Sequence, residues 1–97
     1  MIACLFVAGP VVRRPYTALS DHPVVISCGL DPVEPVKWTF QHSPDSAVKH
    51  ISDSDTYHLH NSSLIIDDVD TADSGTYNCT DASGQLHAIH LTVIGKL

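Results

Sequence analysis

Apolar residues recur along this chain with a period of two. Val24, Ile26 and Cys28 alternate with Val25 and Ser27, and Val36, Trp38 and Phe40 alternate with Lys37, Thr39 and Gln41. Leu64 and Ile66 alternate with Ser63, Ile65 and Asp67; Tyr77 and Cys79 with Thr76, Asn78 and Thr80; Ile89, Leu91 and Val93 with His90 and Thr92. Successive side chains of a β-strand point to opposite faces, so each run predicts a strand with one buried and one wet face. The only candidate helix, over 67–74, is too short to be more than a turn.

Turn residues punctuate the strands. Asp31-Pro32 and Glu34-Pro35 break the chain after the Cys28 run, Ser43-Pro44-Asp45 after the Trp38 run, and Asn61-Ser62 separates two short runs. Ala82-Ser83-Gly84-Gln85 reads as a tight hairpin with Gly84 at positive φ. Short strands with turns at such intervals predict an all-β sandwich or barrel.

At 97 residues there is room for one domain and one core, so residues 1–97 are read as a single unit. A domain of this size buries a modest share of its unfolded surface and gains from a disulfide. Eleven acidic residues against 5 basic ones give a formal charge of −6. That balance argues against nucleic acid, whose phosphates call for a basic face, and against docking on an anionic membrane. No apolar run reaches the ~20 residues that span a bilayer. Residues 1–12 have two readings: Ile2 to Ala8 is either a first strand ending at Gly9-Pro10 or the stump of a targeting peptide without the usual basic start.

Cys28 and Cys79 lie 51 residues apart, with Trp38 ten residues after the first. Strand parity turns all three inward and puts two thiols and an indole in one core. A disulfide between the two, closing a loop of about 50 residues, would contribute roughly 4 kcal/mol. Further on, Leu64-Ile65-Ile66-Asp67-Asp68-Val69 leads into Asp73-Ser74-Gly75-Thr76-Tyr77-Asn78-Cys79.

This second segment resembles the immunoglobulin superfamily, whose strands E and F carry spaced apolar residues followed by D-x-G-x-Y-x-C. The resemblance covers about residues 15 to 95 and implies a two-sheet antiparallel sandwich with one inter-sheet disulfide, Cys28 to Cys79. It also implies a tyrosine corner, in which the Tyr77 hydroxyl bonds backbone upstream, Gly75 permits the tight turn and Asp73 accepts backbone N–H groups. Only 41 residues separate Trp38 from Cys79, which is too little for the extra hairpin of a variable domain and looks like the I-set or C2-set modules of receptors and adhesion molecules. There are two departures. No arginine follows Arg14, so the family's usual partner for the corner aspartate is absent or replaced by Lys49, and Asp21-His22 stands where Glu-Gly is usual.

Asn61-Ser62-Ser63 and Asn78-Cys79-Thr80 fit the N-glycosylation pattern. With a sandwich disulfide they point to an oxidising, extracellular compartment. Asn61 falls on a predicted turn. Asn78 points out of the sheet expected to hold the Trp38, Cys79 and Leu91 strands, the C–F–G sheet in that family's lettering, so a glycan there would cover that face. Cys4 is an odd thiol, read as a half-buried strand residue, an intermolecular tether or part of a removed segment. Seven histidines include a His58-x-His60 pair able to hold a metal, but with no acidic residue or cysteine placed to complete the shell; solvated strand histidines fit better. No cofactor motif and no enzyme pattern is present in the sequence: it lacks a Gly-rich phosphate loop, HExxH and Gly-x-Ser-x-Gly.

Function is therefore expected at the surface, as binding of a protein ligand or a second copy outside the cell. The expected contact residues are Lys37, Thr39, Gln41, Asn78, Thr80 and His90 on the C–F–G face, with Ser83 and Gln85 at the adjoining tip, beside the Pro32–Pro35 loop. Val25 and Ile65 make a small apolar spot on the opposite sheet. Two other readings remain: an antigen-receptor variable-type domain, which would carry a Gly-x-Gly joining motif that is missing here, and an intracellular structural spacer, which would stay reduced and unglycosylated.

Overall fold

The computed structural model describes residues 12–95. The expected strand over Ile2–Ala8, its targeting alternative and Cys4 lie outside these residues. In chain order the described strands are β1 (Val12–Leu19), β2 (Val24–Ser27), β3 (Lys37–Gln41), β4 (Lys49–Ile51), β5 (Tyr57–His60), β6 (Ser63–Ile66), β7 (Gly75–Thr80) and β8 (Leu86–Ile94). A single 3₁₀ turn, Thr71–Asp73, replaces the candidate helix.

The strands form two sheets, one of five strands in the order β1-β8-β7-β3-β4 and one of three in the order β2-β6-β5. Pairing is antiparallel except between β1 and β8, which run parallel with Val12 opposite His87 and Leu19 opposite Ile94. Alternation hid β1 from sequence reading, because Arg13, Arg14 and Pro15 interrupt any apolar pattern. Pro15 is tolerated because β1 is an edge strand, where one side of the backbone carries no ladder. β4 was also missed, since a three-residue strand is too short to display a period.

Parity explains the core. Val24, Ile26, Leu64 and Ile66 from the smaller sheet meet Trp38, Phe40, Tyr77, Ile89, Leu91 and Val93 from the larger one, all buried. Cys28 and Cys79 join the sheets in a disulfide with Cα atoms 5.9 Å apart, within the normal span for such a bridge. Trp38 sits opposite Cys79 in the β3–β7 register. The Phe40 and Tyr77 rings stack beside them at a centroid distance of 4.6 Å.

The turn between β6 and β7 is fixed by short polar contacts. The Asp70 carboxylate accepts the Ala72 N–H at 2.7 Å, and the Asp73 carboxylate accepts the Asp70 N–H at 2.9 Å, a reciprocal cap on the 3₁₀ turn. The Tyr77 hydroxyl donates to the Asp73 carbonyl at 2.8 Å. Gly75 has φ +152°, and a Cβ there would lie 2.6 Å from the Gln41 carbonyl oxygen and 2.8 Å from the Phe40 ring. Asp73 thus spends its carboxylate on backbone, and among the described residues no ion pair joins it to Lys49.

Candidate recognition surface

The outward face of the five-stranded sheet is built in rows by register. Thr39 lies beside Asn78, Asn78 beside Ala88 and Ala88 beside Arg13, with His50 beyond Thr39. Gln41, Thr76, His90 and Pro15 form a second row, and Lys37, Thr80 and Leu86 a third. Lys37, Thr80, His90 and Thr92 are exposed, while Thr39, Gln41, Thr76 and Asn78 are half-buried. Short side chains dominate, so the face is flat and polar. The Thr76 hydroxyl and His90 Nδ1 are bonded at 3.0 Å across the β7–β8 ladder. Ala88, between Arg13 and Asn78 in this register, is buried.

Besides His90, three of the expected contact residues have other employment, and one of them, Gln85, donates its side-chain amide to the Leu86 carbonyl at 3.3 Å. The Gln41 side-chain amide donates to the Pro44 carbonyl at 3.2 Å and the Ser46 carbonyl at 2.8 Å, which holds the β3–β4 turn together. Ser83 donates its hydroxyl at 2.6 Å and its N–H at 2.9 Å to the Asp81 carboxylate. Lys37, Thr39, Asn78, Thr80 and His90 do lie together on one face, as parity predicts.

Asp81 is the residue that sequence reasoning overlooked. It is the one buried charged residue among those described. Besides Ser83, its carboxylate accepts the Gln85 N–H at 3.1 Å and, from the other loop, the Val33 N–H at 3.2 Å. The Ala82 N–H returns a bond to the Val33 carbonyl at 2.7 Å. Asp81 therefore clasps the β2–β3 loop to the β7–β8 hairpin. The Ser83 hydroxyl, with the backbone N–H groups of Val33, Gln85 and Ser83, holds its pKa down at about 2. The Asp81-x-Ser83 spacing, which places an acceptor two residues before a backbone donor, was the available sequence signal.

The hairpin itself is as expected, with Gly84 at φ +92°. Gly29 in the facing loop has φ +79°, and a Cβ there would lie 2.7 Å from the His87 ring. Gly29 thus packs against the His87 ring at the start of β8, and its positive φ favours glycine. Leu30 is fully exposed and Val33 is 51% exposed, so the tip carries apolar side chains on a pinned loop.

On the opposite sheet Val25, Ile65 and His58 are neighbours across β2, β6 and β5. Val25 is 53% exposed, which gives the small apolar spot expected. His58 Nε2 lies 2.7 Å from an Asp67 oxygen, so an acidic residue does stand beside the His-x-His pair, contrary to expectation. Asp67 directly follows β6, and the pairing of β6 with β5 brings it alongside. No group of three metal-ligating side chains gathers among the described residues. Asn61 is exposed on the turn between β5 and β6 at φ +55°.

No protein-family model matches the chain, and no curated protein matches it. Solved structures do. Drosophila Semaphorin 2a superposes with a TM-score of 0.74 at 24% identity over 90% of this chain. The N-terminal four Ig domains of Dscam1 isoform 6.44 give 0.72 at 23% identity over 89%. The fold is that of an immunoglobulin domain. The extracellular domain of the voltage-gated sodium channel beta4 subunit, at 21% identity and a TM-score of 0.69, matches 88% of this immunoglobulin-like domain and is itself 93% covered. The domain spans only 15% of the semaphorin chain and 23% of the Dscam1 chain.

Proposed function

We propose that this immunoglobulin-like domain, taken as one unit over residues 1–97, is an extracellular recognition module that binds a protein ligand or a second copy of itself. The contact surface is the outward face of the five-stranded sheet, centred on Thr39, Asn78 and Thr80, together with the tip held by Asp81. The observation that carries this reading is the continuity of a flat polar face with a pinned loop tip that bears exposed apolar side chains. A polar face of this kind suits transient contact better than a permanent, core-like interface.

Extracellular residence is supported by the Cys28–Cys79 disulfide, since the cytosol keeps thiols reduced. The same feature disfavours an intracellular spacer. Among structures of similar fold, that of the beta4 subunit is described as a parallel homodimer explaining a role in cell–cell adhesion, and another concerns Dscam isoform specificity. Asn61 is the more accessible of the two glycan acceptors. A glycan on Asn78 would stand at the centre of the sheet face and leave the tip as the available contact.

Sedimentation of the purified domain over a wide concentration range, with Cys4→Ser and Thr39→Arg alongside, tests the reading. Self-association lost in Thr39→Arg but kept in Cys4→Ser supports contact through the sheet face. A dimer lost only in Cys4→Ser assigns the tether to that thiol and contradicts a sheet-face dimer.

A further inference from the structure

We propose that Leu30 is the anchor by which the tip docks into an apolar socket, rimmed by arginine or lysine, on a different protein. This rests on the recognition reading and names the kind of partner it needs.

Leu30 is fully exposed and Val33 is half-exposed, on a loop fastened at both ends. The Cys28 disulfide and the Gly29–His87 contact hold one end; the Asp81 carboxylate and the Ala82 N–H hold Val33 at the other. An apolar side chain on a loop already ordered by folding loses little further freedom on binding, which is the condition for an efficient anchor. Beside it lies a hollow of about 370 Å³, walled by Leu30, Val33, Asp81, Ser83 and Gln85 among others, with room for a side chain from the partner.

Charge selects the partner. Asp31 and Glu34 are exposed on this loop, Asp81 is buried beneath it, and the segments 28–36 and 80–86 hold no lysine or arginine; one cation, Arg14 of β1, lines the other side of Leu30. A second copy would bring the same two exposed carboxylates, on a chain of net charge −6, against them. An anionic lipid surface would be repelled in the same way. A basic rim around an apolar socket meets both the exposed leucine and the Asp31 and Glu34 carboxylates, and brings electrostatic steering as well.

The test uses the domain, biotinylated and tetramerised on streptavidin, applied to a panel of live animal cells with and without surface trypsin treatment. Leu30 is outside the core, so Leu30→Asp should keep the wild-type unfolding midpoint, measured in parallel. Trypsin-sensitive staining should fall about tenfold or more in Leu30→Asp. It should also fall in Asp31→Lys/Glu34→Lys and weaken as salt is raised. Staining that survives Leu30→Asp but is lost in Thr39→Arg overturns the anchor while leaving recognition through the sheet face intact. No trypsin-sensitive staining by the wild type overturns the anchor, and without self-association in sedimentation it overturns the recognition reading as well. Self-association in sedimentation that Leu30→Asp abolishes makes the occupant a second copy and overturns the basic partner.

Discussion

The Tyr77 hydroxyl reaches back four residues to the Asp73 carbonyl, at 2.8 Å, and closes the turn that leads into the central strand β7. Tyr77 is fully buried, and burial pushes its phenol pKa upward, so the group stays a neutral donor. Tyr77→Phe removes the bond and keeps the ring against Phe40. A loss of about 1 kcal/mol is expected. Urea unfolding should give a lower midpoint with an unchanged slope, because the surface exposed on unfolding is the same.

Gly75 and Gly84 both have positive φ but differ in surroundings. A Cβ at Gly75 collides with the Gln41 carbonyl oxygen at 2.6 Å, whereas one at Gly84 meets nothing within 4 Å. Gly75→Ala should cost about 2 kcal/mol or more, and Gly84→Ala about 1, from backbone strain alone. Thermal unfolding of the two variants side by side checks the order.

Removing the bridge with Cys28→Ala/Cys79→Ala frees a long loop in the unfolded chain. The expected loss is about 4 kcal/mol, a large part of the stability of a small domain. Denaturant unfolding of this variant, or of the wild type under reductant, measures it directly.

Asp81 is charged in the folded state down to about pH 2, against 3.8 for a free side chain. Its folded pKa is depressed, so its stabilising contribution is complete above 3.8 and disappears as pH falls through about 2. Asp81→Asn should be less stable than wild type at neutral pH, and the two should converge as pH drops through that window. Unfolding midpoints across an acid series test the sign.

Most of the sandwich was legible because alternation reports burial directly: Trp38, Phe40, Tyr77 and Cys79 fall on the inner face as their parity requires. The corner was legible because its residues stand close in sequence. β1 was not, since an edge strand needs no alternating apolar face and Arg13, Arg14 and Pro15 carry none. The clasp between Asp81 and Val33 joins residues 48 apart, and the His58–Asp67 pair arises only once β5 and β6 align. Neither leaves a local period to read. The contact face was legible as a set of outward positions, but the diversion of Gln41 and Ser83 into turns depends on loop conformation.

The most direct test of an extracellular module is a peptide map, without reductant, of the protein secreted by animal cells from its native gene context. The account predicts a linked Cys28–Cys79 peptide and a glycosidase-sensitive mass on the Asn61 peptide. Free thiols at Cys28 and Cys79 in the native, folded protein would contradict it.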